Sequence, residues 1–215
     1  MYHYNKEYFK QINTPDKAYW LGFIAADGNV RKDLLKLRIE LNIQDYHHLE
    51  KFRDCIQGDM PIHENKRPNN HSCYIDVNCQ ALNQDLLQYG ITPNKSLTLQ
   101  INWKLIPLHL QQYFIRGYFD GDGSLNVYTA RGYEEWELSF IGTQSLLQDF
   151  QHFFEIEHKL FSCGKNYRFC YKSKQDILHA LWSFYDDDLI YLDRKRKKVL
   201  EFLSSQRLSR DNTKC

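Results

Sequence analysis

One short segment occurs twice in this chain, and that repetition constrains the fold more than any other feature. WLGFIAADGN (Trp20–Asn29) aligns without a gap to IRGYFDGDGS (Ile115–Ser124) at a constant offset of 95 residues. The alignment pairs Gly22 with Gly117, Ala26 with Gly121, Asp27 with Asp122 and Gly28 with Gly123. Repetition at this spacing means two supersecondary units of one design, stacked to share a core. After the first copy come an alternating run (Lys36 to Gln44), an amphipathic stretch (Tyr46 to Ile56), a strand-like run (Cys73 to Val77) and a helical stretch (Gln80 to Tyr89). After the second come Ser124 to Arg131, Trp136 to Gly142, a helix over Ser145 to Glu157, a strand over Tyr167 to Tyr171 and a helix over Lys174 to Tyr185. The pattern predicts an α+β chain of two α-β-β-α-β-β-α units related by a pseudo-twofold axis. The units span residues 1–104, with the linker, and 105–215. The link falls at 91–106, where Pro93 and Pro107 interrupt any helix. A last amphipathic helix covers 193–204, with Val199, Leu200 and Leu203 on one face.

The motif itself has a physical reading. Thr14-Pro15-Asp16 supplies an N-cap and a first-turn proline for a mostly apolar helix. Gly22 and Ala26, like Gly117 and Gly121, stand four apart on one helical face, so small residues let two helix backbones approach closely. Gly28 and Gly123 are expected as left-handed C′ residues. Asp27 and Asp122 then sit at two adjacent helix C-termini, where the macrodipole is already negative. Two carboxylates across a shared axis repel, and a hard divalent cation resolves the conflict. Such a pair suits two-metal hydrolysis of a phosphodiester. An Asp-Gly helix stop explains either copy alone; the gapless duplication favours the site. Asp120, matched by Ala25, lies on another face and reads as a capping or surface residue.

In the run Lys36 to Gln44, Leu37, Ile39, Leu41 and Ile43 face a core, leaving Lys36, Arg38, Glu40, Asn42 and Gln44 on the opposite side. Those are side chains that pair with base edges in a major groove, and they equally suit an ordinary solvent face.

Composition narrows the class further. The 215 residues are 42% hydrophobic and 15% aromatic, enough for a packed core and against general disorder. With 28 Lys+Arg against 27 Asp+Glu the formal charge is only +1, so basic residues must be localised to meet a polyanion. Arg194 to Lys198 form one basic run after the acidic Asp186 to Asp188; it reads as a solvated helix face or a phosphate-facing patch. Six cysteines without a C-x-x-C pair suit reduced thiols, and no apolar run is long enough to span a membrane. The opening MYHYNKEYFKQ lacks an apolar secretory core, so an intracellular protein is expected.

With both copies in hand, the chain resembles the LAGLIDADG homing endonucleases in their single-chain, two-motif form. The resemblance implies a DNA-binding saddle of antiparallel sheets over the major groove, motif helices at the interface (Gly22, Ala26, Gly117, Gly121), and double-strand cleavage across the minor groove that leaves 3′ overhangs. It implies Mg²⁺, or another divalent metal such as Mn²⁺, held by Asp27 and Asp122 with the carbonyls of Ala26 and Gly121. ITPNKS (Ile91–Ser96) and YLDRK (Tyr191–Lys195) resemble the segments that close each half, placing Lys95 and Lys195, or else Arg194, as basic residues beside the site. Asn42 aligns with a polar position near metal-bound water, with Ile141 or Gly142 as its counterpart. Lys32, Lys36, Arg38, Glu40, Asn42, Gln44, Lys66, Arg67, Asn126, Tyr128, Arg131, Arg168 and Lys172 are the candidate DNA contacts; Glu134, Glu135 and Glu137 are awkward neighbours for a phosphate backbone. The partner implied is double-stranded DNA with a long, near-asymmetric site, possible intron RNA, no membrane, and a monomeric protein. It would be cytoplasmic or nucleoid-associated in a bacterial or phage setting and organellar if encoded by an organelle. A non-cleaving nucleic-acid-binding protein of the same fold, a maturase or a regulator, is the alternative.

Overall fold

The architecture follows from two long helices that cannot be separated from each other. In this computed structural model, which describes residues 2–68, 70–130, 132–185 and 189–211, α1 (Pro15–Asp27) packs along α4 (Leu108–Asp122). A Cβ on Gly22 would stand 1.9 Å from the carbonyl oxygen of Phe114, and one on Gly117 would stand 1.9 Å from that of Tyr19. Tyr19 and Phe114 occupy the same motif position, so each glycine receives the other helix's equivalent carbonyl, as a twofold relation requires.

Each helix is followed by the same series. In the first half come β1 (Gly28–Val30), β2 (Leu37–Asn42), α2 (Tyr46–Cys55), β3 (Ile62–Arg67), β4 (Asn70–Val77) and α3 (Gln80–Gln88). The second half has β5 (Ser124–Ala130), β6 (Tyr133–Gly142), α5 (Gln144–Phe154), β7 (Phe161–Cys163), β8 (Asn166–Tyr171) and α6 (Lys174–Phe184), and then α7 (Asp193–Asp211). The sheets are antiparallel, ordered β1-β2-β4-β3 and β5-β6-β8-β7. One face of each is buried under helices: Leu37, Ile39, Cys73 and Ile75 meet Leu49, Phe52, Leu82 and Leu86, while Leu138, Phe140, Phe169 and Tyr171 meet Phe150, Phe154, Ile177 and Phe184. A single apolar cluster runs through both halves. None of the described helices is long and apolar enough to cross a membrane.

Several expectations need correction. Gly28 and Gly123 are extended, not left-handed (φ −73° and −80°), because each passes directly from helix into strand. They are glycine for want of room: a Cβ would lie 2.7 and 2.8 Å from the carbonyls of Ile24 and Phe119, one turn back. The Thr14 hydroxyl makes no cap hydrogen bond. Ile43 to Asp45 leave the strand as a 3₁₀ turn capped by the Asn42 side chain, which takes Gln44 out of the sheet. Helix α5 ends at Phe154, before Glu155 at φ 54°. In α7 the inward residues are Lys195, Val199 and Phe202, while Leu200 is exposed. Arg131, Asp186 to Asp188 and Cys215 lie outside the described residues.

Candidate active site

The two motif helices end side by side. A Cβ on Gly121 would meet the Ala26 Cβ at 2.4 Å and the Asp27 Oδ2 at 3.4 Å, so the first half's carboxylate lies against the second half's helix. Asp27 and Asp122 both keep an open face to solvent, though the protein around them withdraws much of their hydration. That desolvation, with repulsion from Asp122, pushes the Asp27 carboxyl up to about 6 against the pull of Lys195 and Lys95. Asp122 is raised for the same first reason, with Lys95 and Lys195 opposing.

The two lysines occupy equivalent places. Lys95, from a 3₁₀ turn (Lys95–Leu97) after Asn94 at φ 58°, donates its ammonium to the carbonyls of Ala26, at 3.2 Å, and Gly28. Lys195, from α7, donates to those of Phe119, at 3.1 Å, and Gly123. Gly28 and Gly123 are matched motif positions, so each cation answers the negative end of its own half's helix. Both are buried, 7% and 8% exposed, and burial lowers both, Lys195 to about 8. Arg194 points elsewhere and pairs with Asp45 on the first half at 2.8 Å. Arg196 donates to the Tyr185 carbonyl at 3.2 Å. Arg194, Lys195 and Arg196 thus tie the chain internally, while Lys197 is exposed and Lys198 pairs with Glu201 at 3.1 Å.

Asp120 is neither a cap of its own helix nor a surface residue. It is fully buried and accepts hydrogen bonds from Tyr19, Tyr185 and the Leu192 amide. Nothing in the linear sequence marks these partners, which come from α1 and the α6–α7 connection. Strand register also moves the counterpart of Asn42: Gly28 faces Ile39 and Ser124 faces Ser139, so the matching position is Thr143, not Ile141 or Gly142. Like Asn42, Thr143 caps the element that follows, accepting from the Leu146 amide, and its hydroxyl donates to the Leu99 carbonyl at 2.6 Å.

The uncovered sheet faces hold most of the expected contact residues. In the first half Lys36 and Arg38 converge on Asp76 at 3.0 and 2.7 Å, with the Arg38 guanidinium 4.0 Å from the Tyr74 ring centre. Glu40 accepts from Ser72 at 2.6 Å. Arg67 shares this face by register; Lys66, its neighbour, points the other way beside Glu64 at 3.3 Å, since adjacent strand residues cannot share a face. Lys32 is exposed in the turn after β1. In the second half Asn126 and Tyr128 are exposed, and Tyr128 donates to Glu135 at 3.2 Å. Glu137 lies between Arg168 and Lys172, so that acid is already neutralised.

No protein-family model matches the sequence, and comparison with curated proteins gives no match. Solved structures do match along nearly the full length. The LAGLIDADG meganuclease I-AabMI bound to uncleaved DNA superposes with a TM-score of 0.64 at 14% identity, covering 94% of this chain and 93% of that one. The LAGLIDADG homing endonuclease I-GzeII in complex with its DNA target gives 0.64 at 15% identity, over 94% and 92%. I-SmaMI, bound to uncleaved DNA in the presence of calcium ions, gives 0.63 at 13% identity over 94% and 93%. The architecture described above, down to the paired motif helices and the two four-stranded sheets, is the fold of the single-chain LAGLIDADG homing endonucleases.

Proposed function

We propose that this chain is a sequence-specific DNA endonuclease that acts as a monomer and makes a double-strand break with 3′ overhangs. The observation that carries the reading is the pair of solvent-facing carboxylates, Asp27 and Asp122, on adjoining helix ends with a buried lysine behind each. The donor set fits a hard divalent ion: two carboxylates that repel each other, with the carbonyls of Ala26, which also accepts from Lys95, and Gly121 as the further oxygens that the family resemblance implies. Bound there, Mg²⁺ or Mn²⁺ would supply Lewis-acid stabilisation and an activated water. The chain's own residues orient the reaction. Asp27 and Asp122 hold the charge of the site, while Lys95 and Lys195 offset negative charge that builds on the scissile phosphates. The two halves, 1–104 and 105–215, each bring one motif, one lysine and one reading sheet.

Lys36, Arg38, Glu40, Asn42 and Arg67 in the first half, with Asn126, Tyr128, Arg168 and Lys172 in the second, are the proposed DNA contacts, and Gln44 and Lys32 flank them. The test joins the DNA flanking this reading frame into an uninterrupted junction and incubates it with purified protein and Mg²⁺, using Asp27→Asn as control. Cleavage near the junction that the variant lacks supports the proposal. Tight binding without cleavage under Mg²⁺, Mn²⁺ and Ca²⁺ replaces it with the non-cleaving reading.

A further inference from the structure

The second half holds a buried carboxylate that the first half lacks, since Asp120 stands where the first motif has Ala25. Its oxygens take hydrogen bonds from three separate segments: Tyr19 of α1 at 2.8 Å and the Leu192 amide at 2.6 Å on Oδ2, and Tyr185 at 3.1 Å on Oδ1. The Tyr19 hydroxyl also meets Nε2 of His48 at 3.0 Å, which carries the network into α2 of the first half. Burying a carboxylate is costly even when its hydrogen bonds are complete, and a small apolar residue at this site is compatible with the motif helix, as Ala25 demonstrates. A stability role alone therefore explains little about why the group sits here.

What Asp120 does fix is a backbone path. It holds the Leu192 N–H, and the Leu192 carbonyl accepts from the amides of Lys195 at 2.9 Å and Arg196 at 3.0 Å, which starts α7. From α7 the Lys195 side chain returns to the end of α4, onto the carbonyls of Phe119 and Gly123 on either side of the motif's acids. The result is a closed ring running from Asp120 through Leu192 and Lys195 back to α4. Lys95 is placed differently, by a local turn whose carbonyl takes the amides of Thr98 and Leu99 at 2.9 and 2.8 Å.

We propose that Asp120 is a positioning residue for Lys195, setting where its ammonium stands beside Asp122 and hence how fast the second half's site cuts its own DNA strand. The proposal rests on the endonuclease reading. It makes the effect of losing Asp120 unequal between the two DNA strands, which general destabilisation cannot do.

The experiment labels each strand of the cleaved duplex separately and compares wild type, Asp120→Ala, Asp120→Asn and Tyr185→Phe at a temperature where each is folded. Asp120→Ala is expected to slow one strand by about tenfold or more while the other changes little, so that nicked DNA accumulates with unchanged binding. Asp120→Asn keeps one acceptor for the Leu192 amide and should recover most of the rate. Equal rates on both strands in a folded Asp120→Ala protein overturn the proposal. If that variant does not fold, Tyr185→Phe, which removes a single hydroxyl, must still favour one strand, and balanced cutting by it is equally fatal. Hydrogen exchange separates the two claims: if wild type does not cut, the endonuclease reading fails, yet exchange at Leu192 and Lys195 must still quicken in the variant. Unchanged exchange there rejects the positioning role.

Discussion

The two halves solve the same problem with opposite arrangements of charge. In the first half the basic residues Lys36 and Arg38 belong to β2 and its approach, and the acid Asp76 to β4. In the second the acid Glu137 is on β6, the topological equivalent of β2, and the bases Arg168 and Lys172 are on or just beyond β8. Each triad ties its strands together, but the sign on a given strand is reversed. A similar contrast holds at the paired helix ends, where one lysine comes from a turn and the other from a long helix, yet both finish on the carbonyl of the matched glycine. The halves share their sheet topology and the end points of the two lysines, and they differ in which strand carries the acid and which element carries the lysine.

The sharpest way to break the comparison is at the carboxylates. Asp27→Asn and Asp122→Asn should each lower double-strand cleavage by roughly 10³-fold with DNA affinity nearly intact, measured as single-turnover cutting and filter binding. A loss confined to affinity would sink the shared-site reading. The next effect is structural and should be the same in both halves. Gly22→Leu and Gly117→Leu each force a side chain into a backbone carbonyl of the facing helix. Each is expected to destabilise the fold by about 3 kcal/mol in urea unfolding, and a wild-type midpoint for either would refute the close helix contact.

A smaller effect is the pH dependence that Asp27 brings. With its carboxyl pushed up to about 6 from an ordinary 3.8, Asp27 holds its proton more tightly when folded than when unfolded. Its contribution is thus neutral below about pH 4 and becomes destabilising as pH rises through 6. In chelator, Asp27→Asn should therefore raise stability at pH 8 by on the order of 1 kcal/mol, after allowing for solvent screening of its open face, and the gain should vanish near pH 4. A gain that persists at pH 4 would exclude ionisation as its source. The smallest effect concerns the reversed triads. Asp76→Asn and Glu137→Gln each free two cations and should tighten DNA binding roughly twofold to fivefold at moderate salt. Weaker binding by either variant would mean that the acid contacts a base directly.

Much of this molecule is legible in its sequence because the motif is a packing device before it is a chemical one. The small residues, the duplication and the apolar alternation of Leu37, Ile39 and Leu41 all report on what must be buried, and burial is what sequence pattern records. Strands β1, β3 and β7 left little trace. They are short or lie at a sheet edge, and β3 is mostly polar, so no alternation betrays it. The setting of Asp120 was hidden for a different reason: its partners come from α1 and from beyond α6, and only the folded chain brings Tyr19, Tyr185 and Leu192 together. Lys195, which the resemblance of YLDRK places beside the motif, shares the inner face of α7 with Val199 and Phe202, four and seven residues on.

The contacts that α7 makes with α2 bear on whether the halves are interchangeable parts. Arg194 reaches the nearly inaccessible Asp45, and Lys51 binds the Tyr191 carbonyl at 3.1 Å and Asp193 at 2.7 Å. The helix that delivers the second half's lysine is thus aligned against the first half's surface. A chimera that joined this second half to a foreign first half could reproduce the glycine-lined helix seam perfectly and still set its lysine out of place. Successful recombination would have to carry the Asp45–Lys51 face along with α7, which makes the unit of exchange larger than the half that the repeat suggests.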